Sequence, residues 1–136
     1  MANFITPASL DEFFASMLSA NASVLAVSNA YTFDATDDTL SDIAGGVRLG
    51  TVALTSEALA NGVFSAAPSL IPTAGGDTLG GFWIYKDTGT ESTSRLVLWI
   101  DTNADGTAIG GTTSSSGITV PWSSTGIFRV AAVGAP

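Results

Sequence analysis

The residues best equipped for chemistry are carboxylates. The sharpest spacing among them is Asp101-Thr102-Asn103-Ala104-Asp105-Gly106. Oxygen donors at alternate positions followed by glycine open a calcium-binding loop. The twelfth position of such a loop supplies a bidentate glutamate, and here it is Thr112. No helix is expected on either side, so the competing reading of Asp101, Asn103 and Asp105 is a strand end followed by turn-forming residues. Asp34, Asp37 and Asp38 form a second oxygen-rich cluster, for which solvated loop carboxylates are the ordinary account. Of the three tryptophans, Trp83 and Trp99 sit inside strongly apolar segments and read as core. Trp122, beside Pro121, is the one considered for a sugar or a partner.

The residue types that are missing exclude whole classes of function. The chain has no Cys and no His. Disulfides, thiolate nucleophiles, Cys- or His-ligated metals and imidazole general bases are therefore out of reach. Lys86 is the sole lysine, and no glycine-rich loop ends in Gly-Lys-Ser/Thr. Paired carboxylates are the one acid–base chemistry left, and no spacing selects a pair. The expectation is a protein that is not an enzyme, with no catalytic residue, no metal and no cofactor. Net charge is −8 over 136 residues, from 12 acidic and 4 basic side chains. Four cations cannot neutralise a stripe of phosphates, so neither nucleic acid nor an anionic membrane surface is an expected partner. Residues 1–47 hold acids and no base, which makes the first third the most negative part of the chain.

Several elements must position these residues. Leu10, Phe13, Phe14, Met17 and Leu18 repeat at helical spacing, and Ser9 with Glu12 fits a capping box. This pattern predicts an amphipathic helix over 9–20, preceded by an arm over 1–8. The period then changes. Short apolar runs at 23–28, 47–54, 62–66, 81–86, 95–100, 118–122 and 127–133 predict six or seven strands separated by turn-rich segments. Residues 81–86 (GFWIYK) and 95–100 (RLVLWI) lack polar alternation, so both are expected to be covered on two faces and joined as a hairpin through 87–94. Lys86 and Arg95 bracket that loop, with Asp87 and Glu91 as expected local ion partners. Residues 31–46 read as a long acidic surface loop, 68–76 as irregular backbone, and 101–117 as a long Gly/Ser/Thr loop. The expected fold class is mostly β: one domain over 1–136, a sandwich or small barrel built from a 22–133 body, with the single helix on one face or end.

Half of the residues are Ala, Ser, Thr or Gly, and only 12 % are charged. So little charge predicts a surface that is hydroxyl-rich or buried in an assembly. Three spaced blocks carry a resemblance. They are Tyr31-Thr32-Phe33-Asp34 with Leu40-Ser41-Asp42-Ile43 and Gly46-Val47-Arg48; Asn61-Gly62-Val63 with Gly76-Asp77, Ile84-Tyr85-Lys86-Asp87-Thr88-Gly89, Ser92-Thr93-Ser94-Arg95-Leu96 and Ile100-Asp101-Thr102; and Ile118-Thr119-Val120 with Trp122 and Gly126-Ile127-Phe128. Over roughly 30–130 the chain resembles small virion structural proteins of tailed bacteriophages and prophages, the Tyr-Lys-Asp-Thr-Gly and Ser-Arg-Leu segments being the most specific. It departs from them at Asn103–Gly106 and over its first 20 residues. The resemblance implies a capsid decoration (cement) protein on the outer surface of the head, with the major capsid protein as partner. Capsid symmetry axes favour a homotrimer. The alternatives are a tail or head–tail connector component, or a calcium- or carbohydrate-binding β module.

Overall fold

A computed structural model describes residues 22–60, 63–103, 106–122 and 127–129. The arm over 1–8 and the helix predicted over 9–20 lie outside them. The described chain is mostly β. In order come β1 (Ala22–Ser28), β2 (Arg48–Ala53), β3 (Ala58–Ala60), β4 (Val63–Ser65), β5 (Ser69–Ile71), β6 (Leu79–Lys86), β7 (Leu96–Ile100), β8 (Ile118–Val120) and β9 (Phe128–Arg129). Three short 3-10 turns complete the set: Leu40–Asp42, Gly45–Val47 and Glu91–Thr93.

An antiparallel sheet in the order β2-β1-β6-β7 organises the molecule. Its central strands are buried along almost their whole length, which is why their sequences show no polar alternation. The side chains nevertheless sort strictly by face. Ala22, Val24, Ala26, Phe82 and Ile84 point to one side and pack with Leu54, Phe64, Ile71 and Leu79. Leu25, Val27, Trp83, Tyr85 and Leu96 point to the other and pack with Ile43. The first side is covered by residues of two small sheets, β3-β4-β9 and β5-β8, with Ile118, Val120, Trp122 and Ile127 partly buried against it.

The second side is covered by the segment between β1 and β2. The sequence predicted a solvated loop there, and its composition is indeed acidic. The correction is Ile43, 1 % exposed, which the segment drives into the core. Three sets of bonds hold the segment down. Arg48 donates from Nε to Ile43 O at 2.9 Å and from Nη2 to Leu40 O at 2.6 Å. Leu40 N–H donates to Ser94 O, and Leu96 N–H donates to Asp38 O. Asp42 Oδ2 accepts the backbone N–H groups of Asp38 and Thr39 at 2.8 and 3.0 Å.

Each of the seven expected runs holds a described strand: β1, β2, β4, β6, β7, β8 and β9. The additional ones, β3 and β5, fall in stretches read as connections. Each is three residues long, too short for a period to register, and exists because it has a partner: β4 for β3 and β8 for β5. Glu91 and Arg95, expected to find ion partners within the β6–β7 hairpin, pair outside it. Glu91 pairs with Arg48 at 2.8 Å, and Arg95 with Asp38 at 3.1 Å, so both tie the hairpin to the covering segment or to β2.

Candidate functional site

A cleft of about 480 Å³ opens where the end of β1, the start of β6 and the end of β7 meet. Its aromatic wall is assembled from distant parts of the chain. Tyr31 and Phe33 come from the covering segment, and Trp99 comes from β7. Phe33 and Trp99 lie nearly parallel, 23° apart, with ring centroids separated by 6.2 Å. Tyr31 meets Trp99 edge-on at 5.2 Å, and Trp83 backs both Phe33 and Trp99 at 5.9 and 5.4 Å. Offset and edge-on contacts at these separations are the favoured arrangements of aromatic rings. Phe33 stays 50 % exposed, unusual for so large an apolar side chain.

Local features of β6 and β7 put Trp99 in this position. The β6–β7 register slips between Ile84↔Leu98 and Tyr85↔Leu96. A bulge there lets Leu96 and Trp99, three residues apart, share a face, while Val97 and Leu98 both turn to the other. Gly81 provides room for the indole. A Cβ at Gly81 would lie 2.7 Å from Trp99 Cζ2 and Cη2 and from Ile100 O.

Polar groups fringe the aromatic wall. Asp101 lines the cleft with its carboxylate held from two sides. Trp99 Nε1 donates to Oδ2 at 3.1 Å, and Thr102 Oγ1 donates to Oδ1 at 2.9 Å. Each carboxylate oxygen keeps lone-pair capacity for a further donor. Asn29 and Thr78 line the opposite rim, joined by the bond from Asn29 N–H to Thr78 O. Asp101 is the one charged residue among the described lining residues. The Tyr31 hydroxyl donates to Asp37 Oδ2 at 2.7 Å. Burial raises the Tyr31 phenol above its ordinary value of 10.0, and the bond to Asp37 adds to this. The Trp83 Nε1 itself is buried and completes no hydrogen bond.

The described members of the motifs singled out in the sequence take the following places. Asn103 closes a tight hairpin. Its N–H donates to Thr107 O at 2.7 Å, and its amide donates to Thr107 Oγ1 at 3.1 Å, with Thr102 and Ala108 bridged on either side. Asp105 lies outside the described residues. Asp34, Asp37 and Asp38 are brought to three separate tasks. Asp34 Oδ1 accepts from Thr36 N–H and Oγ1, Asp37 accepts from Tyr31, and Asp38 pairs with Arg95. Trp122 is half-buried, donates from Nε1 to Ser69 Oγ at 2.9 Å, and meets Phe82 edge-on. It anchors the β5-β8 sheet. Trp83 is core, as expected, but Trp99, expected there too, forms a cleft wall. No periodicity could have distinguished it, because its exposure follows from the edge position of β7 and from the bulge.

No protein-family model matches the chain, and no curated protein matches it.

Proposed function

We propose that this chain is a non-enzymatic structural protein of a tailed-phage virion, a decoration (cement) protein on the outer surface of the head. The observation that carries the reading is strand β7. It lies at the edge of the central sheet, and Val97, Leu98, Trp99 and Ile100 are all half-buried. Beyond the bond from Leu96 N–H to Asp38 O, nothing among the described residues pairs with its outer side. Proteins that live alone blunt such an edge with charge, proline or a covering element. An uncharged apolar edge suits a neighbour, and the low overall charge and the resemblance over 30–130 point the same way.

In this reading the body is a β-sandwich, with β3-β4-β9 and β5-β8 together forming the layer opposite the central sheet. Its partners are the major capsid protein and two further copies of itself around a symmetry axis. The mechanism is mass action. A protein that binds only the assembled shell stabilises it by about 2.7 kcal/mol per site when present at a hundredfold excess over Kd. The acidic first third faces away from packaged DNA.

Quantitative mass spectrometry and antibody labelling of purified particles test the proposal. The expected result is hundreds of copies per particle, on the head surface, and heads without the protein that open at lower temperature. Absence from mature particles refutes it. A copy number of a few multiples of three or six moves the protein to the tail or connector.

A further inference from the structure

We infer that the cleft bounded by Phe33, Trp99 and Asp101 is a binding site for a neutral saccharide. The inference rests on the geometry of the cleft and is independent of where the protein resides.

Four observations converge on that ligand class. First, the near-parallel Phe33 and Trp99 rings form a wall, not an enclosure. With centroids 6.2 Å apart they stack on each other and leave no room for a group between them. A flat aromatic wall matches the apolar C–H face of a pyranose. A quaternary ammonium group needs rings that face one another across a gap. Second, Phe33 is half-exposed. Its segment is held in place by bonds on either side of it, from Asn29 N–H to Thr78 O and from Tyr31 to Asp37. The ring is thus presented by a fixed backbone. Third, Asp101 is oriented before any ligand arrives. Trp99 and Thr102 fix its carboxylate, and the remaining lone pairs accept hydroxyl donors. Tying the acceptor to the stacking ring itself positions the two kinds of contact as a unit, which lowers the ordering cost of binding. Fourth, Asp101 is the one charged side chain among the described lining residues, and a carboxylate there disfavours phosphate and acidic sugars. At about 480 Å³ it falls within the roughly 300–1,000 Å³ usual for small-ligand clefts.

Isothermal titration and NMR of the full chain test this. The probes are maltotetraose, cellotetraose, chitotetraose and mannotetraose, with choline and inorganic phosphate as control arms. The expected result is saturable binding of at least one tetrasaccharide with Kd of about 1 mM or tighter, accompanied by a shift of the Trp99 indole N–H resonance. Phe33→Ala removes an exposed ring and should leave the urea midpoint close to wild type. It should weaken binding by about three- to tenfold, the worth of one aromatic contact. Asp101→Asn should weaken it comparably. The inference is overturned if no tetrasaccharide binds at about 10 mM, ten times that Kd. It is equally overturned if binding survives both substitutions unchanged, or if choline or phosphate binds more tightly than every saccharide. None of these results bears on the copy number in particles, so the two proposals fail separately.

Discussion

Replacing Ile43 by alanine should remove the keystone of the layer that covers the Trp83 side of the sheet. Ile43 is 1 % exposed and packs among Leu25, Val27, Trp83, Tyr85 and Leu96. The substitution deletes three carbons, about 2.4 kcal/mol of lost burial at about 0.8 kcal/mol per methylene. The surroundings can close only in part. The backbone at Ile43 is held by the Arg48 guanidinium at 2.9 Å, and the facing side chains belong to a hydrogen-bonded sheet. A residual cavity therefore adds to the loss, and the expected total is about 3 kcal/mol, within the roughly 2–5 kcal/mol range of such changes. Ile43→Val, one carbon smaller, should cost about 0.5–1.5 kcal/mol. Equilibrium urea unfolding measures both. With a slope of about 1–3 kcal/mol per molar, the alanine variant's midpoint should fall by between about 1 and 3 M at unchanged slope. A loss below about 1 kcal/mol for alanine, or equal losses for valine and alanine, would mean that the segment between β1 and β2 lies on the sheet without contributing to its core.

Three further outcomes follow from named contacts. Gly81→Ala places a Cβ 2.7 Å from the Trp99 ring and from Ile100 O, so it should destabilise by about 1–3 kcal/mol and displace the indole, visible as a changed Trp99 N–H resonance. Arg48→Ala breaks two charge-assisted bonds to carbonyls and should cost about 2–4 kcal/mol by urea titration, whereas Glu91→Gln, at the exposed end of the same side chain, should leave the urea midpoint close to wild type. Acid should loosen the covering segment. The Asp38 and Thr39 N–H groups hold the Asp42 carboxyl below its ordinary value of 3.8, and Thr36 does the same for Asp34. A depressed folded value means this stabilisation is complete above 3.8 and is lost as pH falls through the lower folded values. The protection factors of the Asp38 and Thr39 amides, taken relative to intrinsic exchange at each pH, should therefore fall below about pH 3.8 and stay level above it, and Asp42→Asn should abolish that step.

Much of the sheet was legible in the sequence because its strongest strands leave a local trace. β1 and β6 are runs of apolar and aromatic residues with no polar alternation, and a strand buried on two faces can be built from little else; β7 has the same composition, but as an edge strand it is only half-buried rather than covered on both faces as expected. The exclusions were legible too, since a chain without His or Cys cannot perform the chemistry of those side chains in any fold. Tertiary structure alone decided the rest. β3 and β5 are strands only through their partners. Ile43 is core only because Arg48, five residues away, grips its carbonyl while the neighbouring acids face water. The cleft is the extreme case. Phe33, Trp99 and Asp101 belong to one surface because a bulge in β7 rotates Trp99 and a glycine in β6 makes room for its ring. Local sequence dictates where a chain can be buried on both sides. Which half-buried ring remains open to solvent depends on sheet order and strand register, and these arise from contacts between residues far apart along the chain.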